Sequence, residues 1–370
     1  MDIIPHPAQL LQADTTQTIR DMAASAEEAG KLLPAQLELI YRQQWFKVLT
    51  PKQYGGLELD LNQEVRLIEA LAWADGSIGW VVTLCTGAGW FGGFLEPKLA
   101  KEVFAQRDVC LAGSGAPTGT ATITKNGYLV NGTWKYASGA LSTTHFTANC
   151  RIMDSNGPVL NNEGTQLIIP FVFKKDEVNI IPAWTYSGMV ATGSHSFEVN
   201  NVEVTTLRTF RIDANYAHIK HPLYMYPFHQ LAEATIAANI SGMAIHFMDL
   251  CKDVFAKKQV EKNLTTAQSK ELNDLLTWSV VRMNQLRATF YDDLDRSWAN
   301  YAQDNTADRE ENLKSVSSSS RKLAKKARQI VDDLYPYCGL EAARTTTELN
   351  RVWRDVHTAS QHALLTFDEQ

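Results

Sequence analysis

The hydrophobic positions along the chain change their period twice. Over residues 16–104 apolar side chains recur every three or four positions, as in "TIRDMAASAEEAGKLLPAQLELIYRQQWF", which predicts helices interrupted at Pro34. "PKQYGG" (51–56) is a turn signal. "LNQEVRLIEALAWADGSIGWVVTLCTGAGWFGGF" then predicts two helices meeting at Asp75, Gly76 and Ser77, where Asp75 or Ser77 can cap the second. From 108 to 217 the texture becomes β. Two Asn-Gly pairs, Asn126-Gly127 and Asn131-Gly132, punctuate "ATITKNGYLVNGTWKYASGA" as hairpin signals, and "QLIIPFVFKK", "VNIIPAW" and "HSFEVNNVEV" add strands. From 218 onward the helical period returns in four long amphipathic segments, the last being "NRVWRDVHTASQHALL" (350–365), which predicts an antiparallel bundle. The expected fold class is α+β and mostly helical. It comprises an N-terminal helical domain (1–107), a middle β-sandwich or barrel (108–217) and a C-terminal four-helix bundle (218–370).

Composition narrows the function classes. A chain of 370 residues exceeds one ordinary core and suits two or three packed units. Hydrophobic residues at 45% and charged residues at 21% are globular values. The net charge of −6 argues against a general nucleic-acid surface. The locally basic "RKLAKKAR" (321–328) fits a solvated helix face. Five scattered cysteines without a CxxC pair fit a reducing, cytoplasmic setting. No export signal is legible, and no run of about 18 uncharged apolar residues predicts a membrane span.

The chain resembles the acyl-CoA dehydrogenase superfamily over nearly all its length. The residues that carry the likeness are "PKQYGG" with "EALAWADGSIGW", then "LAGSGAPTGTATITKNGYLVNGTWKYASGA" and "SGMVATGSH", and last "CGLEAARTTTELNRVWRDVHTASQH". The resemblance implies a flavin held between the β domain and the bundle, in a homotetramer whose neighbouring subunits help to bind it. "GSGAPTGTA", "GTWKYASG" and "WRDVHTASQH" look more like the flavin-dependent monooxygenase branch, two-component enzymes that take reduced flavin (FAD or FMN) from a separate reductase and use O₂ on an aromatic ring or a heteroatom. A main dehydrogenase branch keeps its catalytic glutamate eight residues after the Asp of an Arg-Asp pair. Here the pair is Arg354-Asp355 and the eighth residue is Ala363, which cannot be a base. His362 stands beside it.

Candidate site residues follow. In "TWKYASG", strand alternation predicts that Trp134, Tyr136 and Ser138 share one face. From the residues alone Trp134 and Tyr136 read as ordinary sheet-core aromatics, while the resemblance implies that Tyr136 and Ser138 lie against the flavin, with Ser138 near its N5 edge. The loop 111–119, with Leu111, Gly113 and Ser114, is a candidate for the flavin's pyrimidine edge, since glycines permit close backbone contact. His362 is the candidate proton-transfer group, because imidazole titrates near working pH. It is expected on the same side of one helix as Asp355, seven residues away, with His357 on the opposite margin. The substrate pocket is expected to include Trp90, Thr192, Gly193 and Ser194. His218, His221 and His229 in "HIKHPLYMYPFH" lack partners at ligand spacing, so no metal is expected. Two other readings stay open: an acyl-CoA-type dehydrogenase with its base at Glu233 or Asp249, and a non-catalytic flavin-binding scaffold.

Overall fold

The computed structural model describes residues 4–367. Helices come first: α1 (Ala13–Ala29), α2 (Pro34–Arg42), α3 (Leu61–Ala74), α4 (Gly76–Gly89) and α5 (Pro97–Phe104). Proline opens both α2 and α5, where its missing N–H leaves nothing unpaired. Asp75 ends α3 and caps α4, its carboxylate accepting from the Ile78 N–H at 2.9 Å. The two helices approach so closely that a Cβ on Gly79 would lie 2.5 Å from the Cα of Ala72.

Seven strands follow: β1 (Leu111–Thr124), β2 (Gly127–Ala137), β3 (His145–Asp154), β4 (Gly157–Pro158), β5 (Ile168–Lys174), β6 (Asn179–Ile181) and β7 (His195–Val204). They form one mixed sheet in the order β4-β3-β1-β2-β7-β6, with β5 also paired to β3. β1 and β3 run parallel, and the other pairs antiparallel. The first Asn-Gly pair makes the β1–β2 turn, where Thr124 faces Gly127. The second lies inside β2 at a register shift against β7, so it marks an irregular strand rather than a hairpin. Trp134, Phe146, Phe171, Phe173 and Phe197 give the sheet a core of its own.

The remaining helices are α6 (Pro222–Met225), α7 (Phe228–Glu261), α8 (Thr266–Ala302), α9 (Arg309–Cys338), α10 (Leu340–Ala343), α11 (Glu348–Ala359) and α12 (Ala363–Thr366). α7 is buried on nearly all sides from Leu231 to Met248 because α3, α8, α9 and α11 all pack on it. α3 thereby joins the first helices to the bundle. Buried Glu69 on α3 accepts from Arg287 at 2.7 Å, Tyr291 at 2.7 Å and Ser241 at 2.5 Å.

Candidate active site

A cavity of about 470 Å³ opens where α4, the sheet and α7 meet. Phe91, Phe210 and Phe228 give it aromatic walls, and Leu84, Leu231 and Ile236 add aliphatic ones. Its polar edge includes Thr83, Ser138, Asn149 and His362, together with Gly113, Ser114 and Gly115 of β1. Two glycines keep it open. A Cβ built on Gly87 or on Gly115 meets nothing within 4 Å.

Ser138 reaches the cavity through a bulge. Between the Trp134–Phe197 and Ala137–His195 pairs, β2 spends one residue more than β7. Tyr136 takes up the excess with φ +68° and is 56% exposed, its ring set among Trp184 and Tyr186. The expected common face of Trp134, Tyr136 and Ser138 is therefore corrected: the bulge breaks the alternation on which it rested. Trp134 is sealed in the sheet core, Tyr136 points outward, and Ser138, 5% exposed, turns to the cavity. There its Oγ accepts from the Trp80 indole N–H at 3.1 Å and lies 2.8 Å from the Ser194 Oγ.

His362 arrives by a different route from the one expected. α11 ends at Ala359, so Asp355 and His362 do not lie along one helix, and the seven-residue argument fails. The chain turns, and His362 caps α12, its Nδ1 accepting from the Leu364 N–H at 3.4 Å. An accepting Nδ1 leaves the proton of the neutral ring on Nε2. The ring packs edge-on to Trp80 at 5.9 Å between centroids, and burial lowers its pKa. Trp80 thus touches both Ser138 and His362. It lies in the quoted "EALAWADGSIGW", yet nothing in the sequence gave it a role, because its two contacts come from segments 58 and 282 positions away in the chain.

The other candidates divide. Gly113 and Ser114 line the cavity, whereas Leu111 is packed in the core beneath it. Trp90 is set back: its Nε1–H donates to the Leu223 carbonyl at 2.9 Å and its neighbour Phe91 takes the wall. Thr192 and Ser194 sit behind Ser138 rather than on the wall, and Gly193, with φ +51°, turns the chain between them. His357 bonds Asp332 at 2.7 Å on the far side of α11. His195 accepts the Ala183 and Trp184 N–H groups and holds that turn. His218, His221 and His229 face separate partners, respectively Glu96, the Leu223 N–H and Glu233. Arg354 reaches out of the bundle to Glu27 on α1, and Asp355 accepts from the Met189 N–H. Neither alternative base lies on the wall. Glu233 is locked to Arg321 at 2.6 Å, and Asp249 accepts from Trp73 at 2.7 Å.

Comparison with known proteins fits this geometry. The oxygenase subunit HsaA of a flavin-dependent monooxygenase from Rhodococcus jostii is 26% identical over 365 residues, covering 94% of this chain and 91% of that one. The indole-3-acetate monooxygenase of Acinetobacter baumannii is also 26% identical, covering 94% of this chain and 88% of its own length. Among solved structures, the HsaA monooxygenase from M. tuberculosis superposes with a TM-score of 0.85 at 22% identity, covering 95% of this chain and 91% of that chain. XiaF from Streptomyces sp., solved with FADH2 and glycerol, gives 0.82 at 22% identity, covering 97% and 93%. Residues 234–367 match the family described as acyl-CoA dehydrogenase, C-terminal domain. Bundle, sheet and leading helices all follow the acyl-CoA dehydrogenase-like fold of these structures, and the bundle segment matches the acyl-CoA dehydrogenase C-terminal family.

Proposed function

We propose that the chain is the oxygenase component of a flavin-dependent monooxygenase that hydroxylates a small, uncharged aromatic substrate. The observation that carries this reading is the meeting of Ser138 and His362 at Trp80 on one largely apolar cavity. The near-full-length likeness to flavin-dependent monooxygenases supports it. The residues present fit a flavin. The cavity's size is that of a small-molecule site. Gly87 and Gly115 leave room where any side chain would intrude, and a hydroxyl and an imidazole stand at its edge. Gly113, Ser114 and Ser138 would hold the ring, while Tyr136 stands outside this cavity. When bound, reduced flavin supplies the two electrons with which O₂ delivers one oxygen atom to the substrate and one to water.

The chain's own residues do the rest. Phe91, Phe210 and Phe228 exclude water and favour an aromatic substrate. Among the described residues the cavity lining contains no lysine or arginine, so a substrate carboxylate would be buried without a counter-charge. His362, kept neutral by burial, takes the proton released by a phenolic substrate or returns one to the reacting oxygen. Acyl-CoA oxidation has less support, because Ala363 occupies the glutamate position and both Glu233 and Asp249 are engaged elsewhere.

The same reading includes a separate flavin reductase, a homotetramer, a cytoplasmic location and the three domains at 1–107, 108–217 and 218–370. All five cysteines are buried free thiols, in keeping with a reducing compartment. No described helix is long and apolar enough to cross a membrane. The test is to titrate the purified chain with FAD and FMN, oxidised and reduced, then mix the reduced complex with O₂ and aromatic substrates. Hydroxylated product that is lost in His362→Ala supports the proposal. Bleaching of bound FAD by an acyl-CoA establishes the dehydrogenase reading instead. Failure to bind flavin in either redox state overturns both and leaves a scaffold.

A further inference from the structure

We propose that Thr192 and Ser194 set the direction of the Ser138 hydroxyl, so that it offers the cavity a hydrogen-bond acceptor and thereby selects reduced over oxidised flavin. The inference rests on the flavin reading above, in which the flavin arrives reduced, and adds two positioning residues that give that preference a structural cause.

Proton counting fixes the direction. A hydroxyl has one proton to give and two lone pairs to accept with. The Thr192 Oγ1 lies 2.7 Å from the Met189 carbonyl, which can only accept, so the Thr192 proton is committed there. The Ser194 Oγ lies 2.7 Å from the Thr192 Oγ1, and with that proton already committed, Ser194 must be the donor. Ser138 lies 2.8 Å from Ser194 and by the same logic donates to it. On its other side the Trp80 indole, which can only donate, supplies a proton to Ser138 at 3.1 Å. One lone pair remains, and Ser138 is the member of the chain that lines the cavity.

The far end is held rigidly. The Met189 carbonyl also accepts the Trp184 Nε1–H at 2.8 Å, and the Met189 N–H donates to the buried Asp355 carboxylate on α11. Gly188 lies flat against that helix, where a Cβ would come within 2.1 Å of the Arg354 carbonyl oxygen. Met189 itself adopts φ +56°, a conformation a methionine keeps only when its surroundings impose it. The anchor therefore cannot swing to let the hydroxyls reverse.

Oxidised flavin presents an unprotonated N5, which accepts a hydrogen bond, and reduced flavin carries a proton there. A fixed acceptor at Ser138 matches the second and repels the first. A site that must take up flavin already reduced gains from that bias.

The experiment is an anaerobic binding titration, read by tryptophan fluorescence, of oxidised and dithionite-reduced FAD and FMN. It compares wild type, Thr192→Val, Thr192→Ser and Ser194→Ala, each checked for native unfolding behaviour, and it is paired with the midpoint potential of the bound flavin. Wild type is expected to prefer reduced flavin by about tenfold, roughly 1.4 kcal/mol, which raises the two-electron potential by about 30 mV. Thr192→Val and Ser194→Ala free the Ser138 proton and bring the ratio toward one, while Thr192→Ser keeps it. An unchanged ratio and potential in Ser194→Ala or in folded Thr192→Val overturns the inference and leaves the flavin site standing. Wild type that binds neither form overturns the flavin reading and this inference with it.

Discussion

Gly87 offers a way to close the cavity without harming the fold. It lies in the last turn of α4 with no left-handed backbone requirement, and a Cβ there meets open space. Replacing glycine by alanine in a helix stabilises by about 0.5–1 kcal/mol, through the entropy removed from the unfolded chain and the better helical propensity. Gly87→Ala should therefore raise the thermal midpoint by about 1–4 °C and take only a methyl group's volume from the cavity. Gly87→Phe keeps the propensity gain and places a ring against Phe91 and Phe228, where burying apolar surface contributes about 25 cal/mol per Å². Stability should hold or rise while ligand access is lost. The assay pairs thermal unfolding with a fluorescence titration of flavin and of a neutral aromatic ligand. The expected outcome for Gly87→Phe is a folded protein whose ligand affinity falls at least about tenfold, or 1.4 kcal/mol. A folded Gly87→Phe with wild-type affinity would place the binding site elsewhere, and an unfolded one would mean that the space beside Gly87 is not open.

Three further outcomes are expected. Glu69→Ala leaves the Arg287 guanidinium buried without its carboxylate, and should cost about 3–5 kcal/mol in urea unfolding; a loss below about 1 kcal/mol would show that the pair does not join α3 to the bundle. Burial drives the Asp355 carboxyl up to about 7, so its contribution to stability is complete below its ordinary value of 3.8 and is lost as pH rises through about 7. Asp355→Asn, which can still accept from Met189, should gain on wild type as pH increases, and parallel pH–stability curves would refute this. Burial lowers the His362 pKa below 6.5, so the unfolded chain takes up a proton that the folded chain resists and stability falls as pH drops below 6.5. His362→Asn should flatten that slope, and an NMR titration midpoint at or above 6.5 would contradict the burial argument.

The order of helices, strands and helices was legible because hydrophobic period is a local property, and so were the turn at Asn126-Gly127 and a cap at Asp75 or Ser77, of which the structure uses Asp75. The break between Asp355 and His362 was not. "NRVWRDVHTASQHALL" keeps helical spacing throughout, and only packing shows that the helix stops at Ala359 and restarts after His362. Ser138 and His362 were placed on the cavity by resemblance, while the geometric reasons offered for them, strand alternation and helix phase, both failed. Phe91 rather than Trp90 faces the cavity because neighbouring residues on a tight turn point in different directions, which spacing alone does not resolve. Trp80 and the Thr192–Ser194 chain are tertiary relationships with no local signature.

The extra residue at Tyr136 acts as a phase shifter between two surfaces. Trp134 before it and Ala137 after it both face the sheet interior, and Ser138 turns to the cavity. Regular alternation with every residue kept would turn the Ser138 hydroxyl to the Trp134 side, whereas deleting Tyr136 would leave Ser138 an odd number of residues from Trp134 and keep it on the cavity side. The backbone count between Trp134 and Ser138, and not the outward-pointing Tyr136 side chain, therefore decides which surface receives the hydroxyl.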